Sequence, residues 1–223
     1  MNEAIGQVLS FAVGVAISPL PIVAVVLMLA TPRGRINGPT FVAGWIIGLT
    51  VLGGIVLAAS SGAGASEDGE PATWVSVLEL VLGLLLVLFA LRQWRGRPRG
   101  DEPTELPKLL QAIDTFTPGK TFVIAVALAA VNPKNLLLTV GAATAIAQTG
   151  IDTVEQVIAL EVFVVIATLG VAAPVVIYYA LGERSAKLLG ELRTWLATHN
   201  AAIMAVLLLV IGAKLLGDGI SGL

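Results

Sequence analysis

The tetrad Asn132-Pro133-Lys134-Asn135 lies inside a long apolar stretch and places an ammonium where hydrocarbon is expected. A charged side chain at the centre of a bilayer costs about 2.5 kcal/mol or more, so it is read first as functional. A second interruption, Ser18-Pro19-Leu20-Pro21, falls in the first apolar run. Ser-Pro and Asn-Pro also open helices: the Ser or Asn side chain caps free amides, and proline fits the first helical position, whose N–H would lack a partner anyway. Ser18 and Asn132 are therefore predicted to cap second half-helices that start within the membrane, with Pro19, Pro21 and Pro133 enforcing the breaks. Such helix starts carry partial positive charge and free donors. Two of them beside Lys134 and Asn135 would bind a phosphate, sulfate or carboxylate. The plainer alternative is a pair of proline kinks whose freed carbonyls are satisfied by neighbouring helices.

Two carboxylates are candidates for coupling. Glu161 lies nine residues into its apolar run, about 14 Å along a helix. It is placed to pair with Lys134, either as a structural ion pair or as a desolvated, proton-carrying gate. Glu79 is five residues past Trp74, shallow enough to snorkel or to face a vestibule. His199 has no carboxylate cluster beside it, and the chain has no cysteine, which excludes disulfides, thiolate metal ligands and dithiol chemistry. No metal, cofactor or nucleic-acid partner is expected. A Gly-rich phosphate loop is absent, so ATP is not the direct energy source. Hydrolytic chemistry needs a nucleophile with a base or metal, so the expectation is not an enzyme.

The elements that must hold these residues are membrane helices. The chain is 57% hydrophobic and 13% charged, with a mean hydropathy of +0.93, outside the range of soluble domains. Six stretches approach the ~20 apolar residues that cross a bilayer: about 4–30, 38–60, 74–94, 119–149, 154–181 and 200–217. The first run lacks a basic leader and is too long for a signal peptide, so it is expected to be retained. Eleven of thirteen basic residues, Arg33 and Arg35 among them, fall in alternate loops. The positive-inside bias makes those loops cytoplasmic and puts both termini outside, in a multi-pass plasma-membrane protein. Arg33 and Arg35 sit where an inner-leaflet headgroup would first be met, although topology alone explains them equally well.

The expected fold is all-α and integral to the membrane: six transmembrane helices as two inverted three-helix repeats, with helices 1 and 4 broken near the midplane. Residues 1–94 form the first repeat, 95–118 a cytoplasmic linker and 119–223 the second repeat. Each break falls about fourteen residues after its span begins, or ~21 Å. An odd number of spans per half inverts the second half, as in many secondary transporters. Segments 184–198 and 106–116 read as interfacial helices, and 60–71 as a flexible acidic outer loop. Gly44-Trp45-Ile46-Ile47-Gly48 followed by Gly53-Gly54 reads as close helix packing. Trp45 is assigned to the inner aromatic belt, and Pro174 marks a kink.

At these residues the chain resembles the LysE (lysine-exporter) superfamily, whose members are six-span inverted repeats. Asn132-Pro133-Lys134 is similar to that superfamily's second-half motif. The first half departs from it, with Ser18-Pro19-Leu20-Pro21 in place of a Gly-Pro-Asn-like break. That substitution, with Thr31-Pro32-Arg33-Gly34-Arg35 and Asn37-Gly38 through Gly44-Trp45, resembles the GAP branch of sulfolipid- and glycopeptidolipid-addressing proteins. The resemblance implies a role in bringing complex envelope lipids to the surface, sometimes beside larger export machinery. It implicates Ser18, Pro19, Pro21, Arg33, Arg35, Asn132, Pro133 and Lys134.

Both lines lead to a transporter or flippase-like protein for an anionic (glyco)lipid or lipid-linked intermediate, with membrane lipid as its partner. The alternatives are an exporter of a small solute, such as an amino acid or ion, and an accessory scaffold of a larger lipid exporter. Homo-oligomerisation is compatible with either.

Overall fold

Where Thr, Asn or Asp precedes an apolar run in the second half, a helix begins. Thr117 accepts from the Lys120 amide, Asn132 from the Lys134 amide, and Asp152 from the amides of Val154 and Glu155. Each satisfies donors that a helix start leaves free. The computed structural model describes residues 1–64, 66–67, 70–96 and 113–223. Among them the helices are α1 (Asn2–Ala16), α2 (Pro19–Leu29), α3 (Gly34–Gly62), α4 (Thr73–Arg95), α5 (Pro118–Ala130), α6 (Pro133–Gln148), α7 (Thr153–Leu181) and α8 (Ser185–Ser221). A two-residue antiparallel pair, β1 (Ser66–Glu67) and β2 (Glu70–Pro71), closes the α3–α4 connection.

Both expected breaks are present. α1 and α2 are bent by 50° and α5 and α6 by 61°. Among the described residues three helical stretches are long and apolar enough to cross a membrane, Gly34–Gly62, Thr73–Arg95 and Thr153–Ser221, or up to five if each bent pair counts as one span. Large apolar side chains such as Val51, Ile55, Leu84, Leu88, Val165, Leu169, Val206 and Val210 point outward. That outer surface suits acyl chains rather than water.

Small residues set the helix contacts. A side chain at Gly44 would meet the Phe122 carbonyl at 2.7 Å, and one at Gly48 the Ala129 methyl at 2.9 Å, so α3 lies tightly on α5. Gly83 and Gly212 face each other's carbonyls in the same way and join α4 to α8. The Gly44–Gly48 reading therefore holds. Gly53 packs on Leu160, whereas Gly54 faces open space.

Two local expectations are corrected. Trp45 is fully buried and stacked on Phe41 at 6.2 Å. It fills the core because the glycines on either side draw α5 over its face of α3. Segment 184–198 is not a separate interfacial helix but mostly the first part of the 37-residue α8. Leu189 and Leu196 turn into the protein, while Leu188 and Trp195 point outward. The described end of segment 106–116 is a 3₁₀ turn at Ile113–Thr115. Ile113 and Phe116 are buried there, and the Phe116 carbonyl accepts from the Asn37 side chain at 3.1 Å. Residues 106–112 lie outside the described residues, as do the basic residues Arg97, Arg99 and Lys108.

Candidate functional site

Helix α6 starts with Pro133, which has no N–H to donate, and its first turn carries Lys134 and Asn135. The Asn132 side chain takes the Lys134 amide at 3.1 Å, as its position before the proline requires. At the end of α5 the Asn132 amide bonds back to Ala127 O, which frees the Leu128 carbonyl. Asn135 Nδ2 donates to that carbonyl at 2.9 Å.

The other break is closed by the same turn. Lys134 Nζ donates to Ser18 Oγ at 2.7 Å and reaches the Ile17 carbonyl at 3.5 Å. Ser18 Oγ donates onward to Asn135 Oδ1 at 3.0 Å. Ser18, Lys134 and Asn135 are all buried, and they form one continuous polar joint between the two broken helices. Ser18 is thus not the side-chain cap expected of it. A buried ammonium must find acceptors, and the serine hydroxyl is turned toward it instead of toward its own helix. Pro19 and Pro21 are buried at the start of α2, whereas Pro133 is exposed and Asn132 half-buried.

Glu161 does not join this group. Its side chain is exposed on the outer side of α7, and the ion pairs among the described residues are Lys187–Glu191 and Lys214–Asp218. The helical register decides this: Leu160 and Phe163 take the inward positions of that turn. Among the described residues Lys134 therefore has no carboxylate within 4.0 Å. Glu79, by contrast, is buried, and it accepts from Gln148 Nε2 at 3.1 Å. With Gln7, Phe11, Lys214 and Asp218 it lines a cavity of about 350 Å³ beside the chain termini.

A larger cavity of about 670 Å³ opens at the opposite ends of the helices. It lies between the end of α2, the end of α7 and the start of α8, and it includes Arg35 but not Arg33. Along α1 and α2 the joint at Ile17–Ser18 falls between residues 7 and 11 of one cavity and 26–30 of the other. Neither cavity is lined by Ser18, Lys134 or Asn135.

Four contributors escaped the sequence reading: Gln148, Gly170, Tyr179 and Arg193. Gly170 has no side chain, and the α7 backbone therefore presses against the Ala16 carbonyl at the end of α1. Gln148, a polar residue ending an apolar run, was the one visible signal. The others are ordinary residues of long helices until their neighbours are known.

No curated protein and no solved structure matches the chain. A family model described as Sap, sulfolipid-1-addressing protein, matches residues 8–221 and so takes in both breaks and the whole joint. With nearly its full length covered, this helical membrane protein belongs to the Sap, sulfolipid-1-addressing protein family.

Proposed function

We propose that the protein moves a lipid or lipid-linked intermediate with an anionic headgroup toward the cell surface, without covalent chemistry on it. The observation that carries this reading is the Lys134 ammonium, buried at the meeting point of two broken helices with no carboxylate beside it among the described residues. The starts of α2 and α6 add partial positive charge at the same place. An anion arriving there would supply the missing counter-charge. A cavity at each end of the path supports a two-mouthed route that is closed at the joint. The family description supports a lipid substrate, since it names a sulfolipid.

In this reading the six apolar segments are six spans in two inverted halves, on the plan of the LysE superfamily. Exchanging α1–α4 with α5–α8 carries the α1–α7 packing onto α3–α5 and the α2–α7 packing onto α3–α6, and it leaves α4–α8 in place. The 69-residue stretch Thr153–Ser221 would be ~100 Å long as one helix, several times a ~30 Å core. The chain therefore turns back near Gly182, whose φ is +54°. Both termini then lie outside, and the arginine-lined cavity opens to the cytoplasmic leaflet.

The test is reconstitution in vesicles with a fluorescent anionic lipid, following its exposure to a membrane-impermeant quencher. Wild-type protein should accelerate exchange, and Lys134→Gln should slow it about tenfold, equivalent to ~1.4 kcal/mol. A zwitterionic probe should respond to neither. Equal rates for wild type and Lys134→Gln would overturn the proposal.

One observation favours a second reading, an accessory scaffold: the joint's polar atoms satisfy one another, and neither cavity reaches them. A scaffold carrying Lys134→Gln should lose thermal stability yet leave surface display of the lipid by its partner machinery unchanged.

A further inference from the structure

The arginine-lined cavity takes no part in the joint, and its lining is chemically mixed. Val26, Leu27 and Leu29 of α2 and Leu189 of α8 line it together with Arg35 and Arg193. Among the described residues neither guanidinium lies within 4.0 Å of a carboxylate, although Glu183 lines the same space. The Tyr179 hydroxyl donates to the Arg35 carbonyl at 2.5 Å and so fixes the start of α3 against the end of α7. Ser185 and Ala186 at the start of α8 also line the cavity. The volume of about 670 Å³ lies within the usual 300–1,000 Å³ of ligand pockets.

A free oxyanion would use the two guanidiniums and leave the apolar lining bare. A lipid uses both, because a phosphate or sulfate ester pairs with planar guanidinium groups while its first methylenes cover the leucines. We propose that this cavity is the loading site for a lipid with a phosphate- or sulfate-ester headgroup, clamped between Arg35 and Arg193. Its link to movement across the membrane rests on the function proposed above, but binding itself does not.

Native mass spectrometry of the purified full chain in zwitterionic nanodiscs, titrated with phosphatidylglycerol or extra phosphatidylcholine, provides the test. The wild type should retain phosphatidylglycerol selectively. Arg35→Gln and Arg193→Gln should each weaken retention about tenfold, as expected for a lost charged hydrogen bond, and the double Gln variant should abolish it. The double Lys variant keeps the charge and should retain part of the binding, which separates loss of the clamp from loss of the fold. Millimolar inorganic phosphate or sulfate should not displace the lipid. Wild-type retention by the double Gln variant overturns the site, and displacement by equimolar inorganic phosphate overturns the lipid assignment. If lipid binding needs both arginines while Lys134→Gln still exchanges lipid at the wild-type rate, the transport mechanism fails and the loading site stands.

Discussion

At the scale of single residues, the joint depends on one hydroxyl serving two partners. Ser18 accepts from the Lys134 ammonium and donates to Asn135, so both polar side chains of the α6 start depend on it. Ser18→Ala should leave a buried ammonium short of an acceptor and cost about 1–3 kcal/mol, read as a lower melting temperature in detergent. Asn132→Ala removes only a cap at a half-buried position and should cost about 1 kcal/mol in the same assay. The cap at Asn132 was legible because capping is local, reaching two residues along the chain. The role of Ser18 was not, because its partners are 116 and 117 residues away. Glu161 shows the converse: an acidic residue at a plausible depth whose helix face turns it outward.

At the scale of elements, the helices are placed by close backbone approaches. Gly83 and Gly212 bring α4 and α8 together, and Gly44 and Gly48 do the same for α3 and α5. Gly212→Leu should force the α4–α8 seam apart at a cost of about 1–3 kcal/mol, detectable as a lower melting temperature and earlier protease cleavage. Gly170→Ala would drive a methyl group into the Ala16 carbonyl, a backbone atom with little freedom to move. That variant should disturb the bend between α1 and α2 and lower lipid exchange more than it lowers stability. The break positions were readable because proline lacks a donor wherever it stands. The length of α8 was not, because the polar side chains in 184–198 read as a surface segment and the tertiary packing of Leu189 and Leu196 made it continuous.

At the scale of the whole molecule, the proposed topology is open to a direct measurement because the chain has no cysteine of its own. Single cysteines at Asn2 and Leu223 should react with an impermeant thiol reagent from outside the cell, and one at exposed Lys187 only after permeabilisation. Labelling of Lys187→Cys in intact cells would reverse the proposed orientation. The amino-acid sequence alone determined that the chain is a set of apolar helices, where two of them break, and that Asn132 opens one of the new starts. These depend on run length, missing donors and nearest-neighbour capping, all of which act within a turn or two. Only the tertiary structure decided that Ser18 accepts from Lys134 and donates to Asn135, that Glu161 faces away, that Trp45 belongs to the core, and that Arg193 rather than Arg33 joins Arg35. Each of those outcomes depends on which faces of sequence-distant helices meet, and that is set by the packing of glycines and aromatic rings across the bundle.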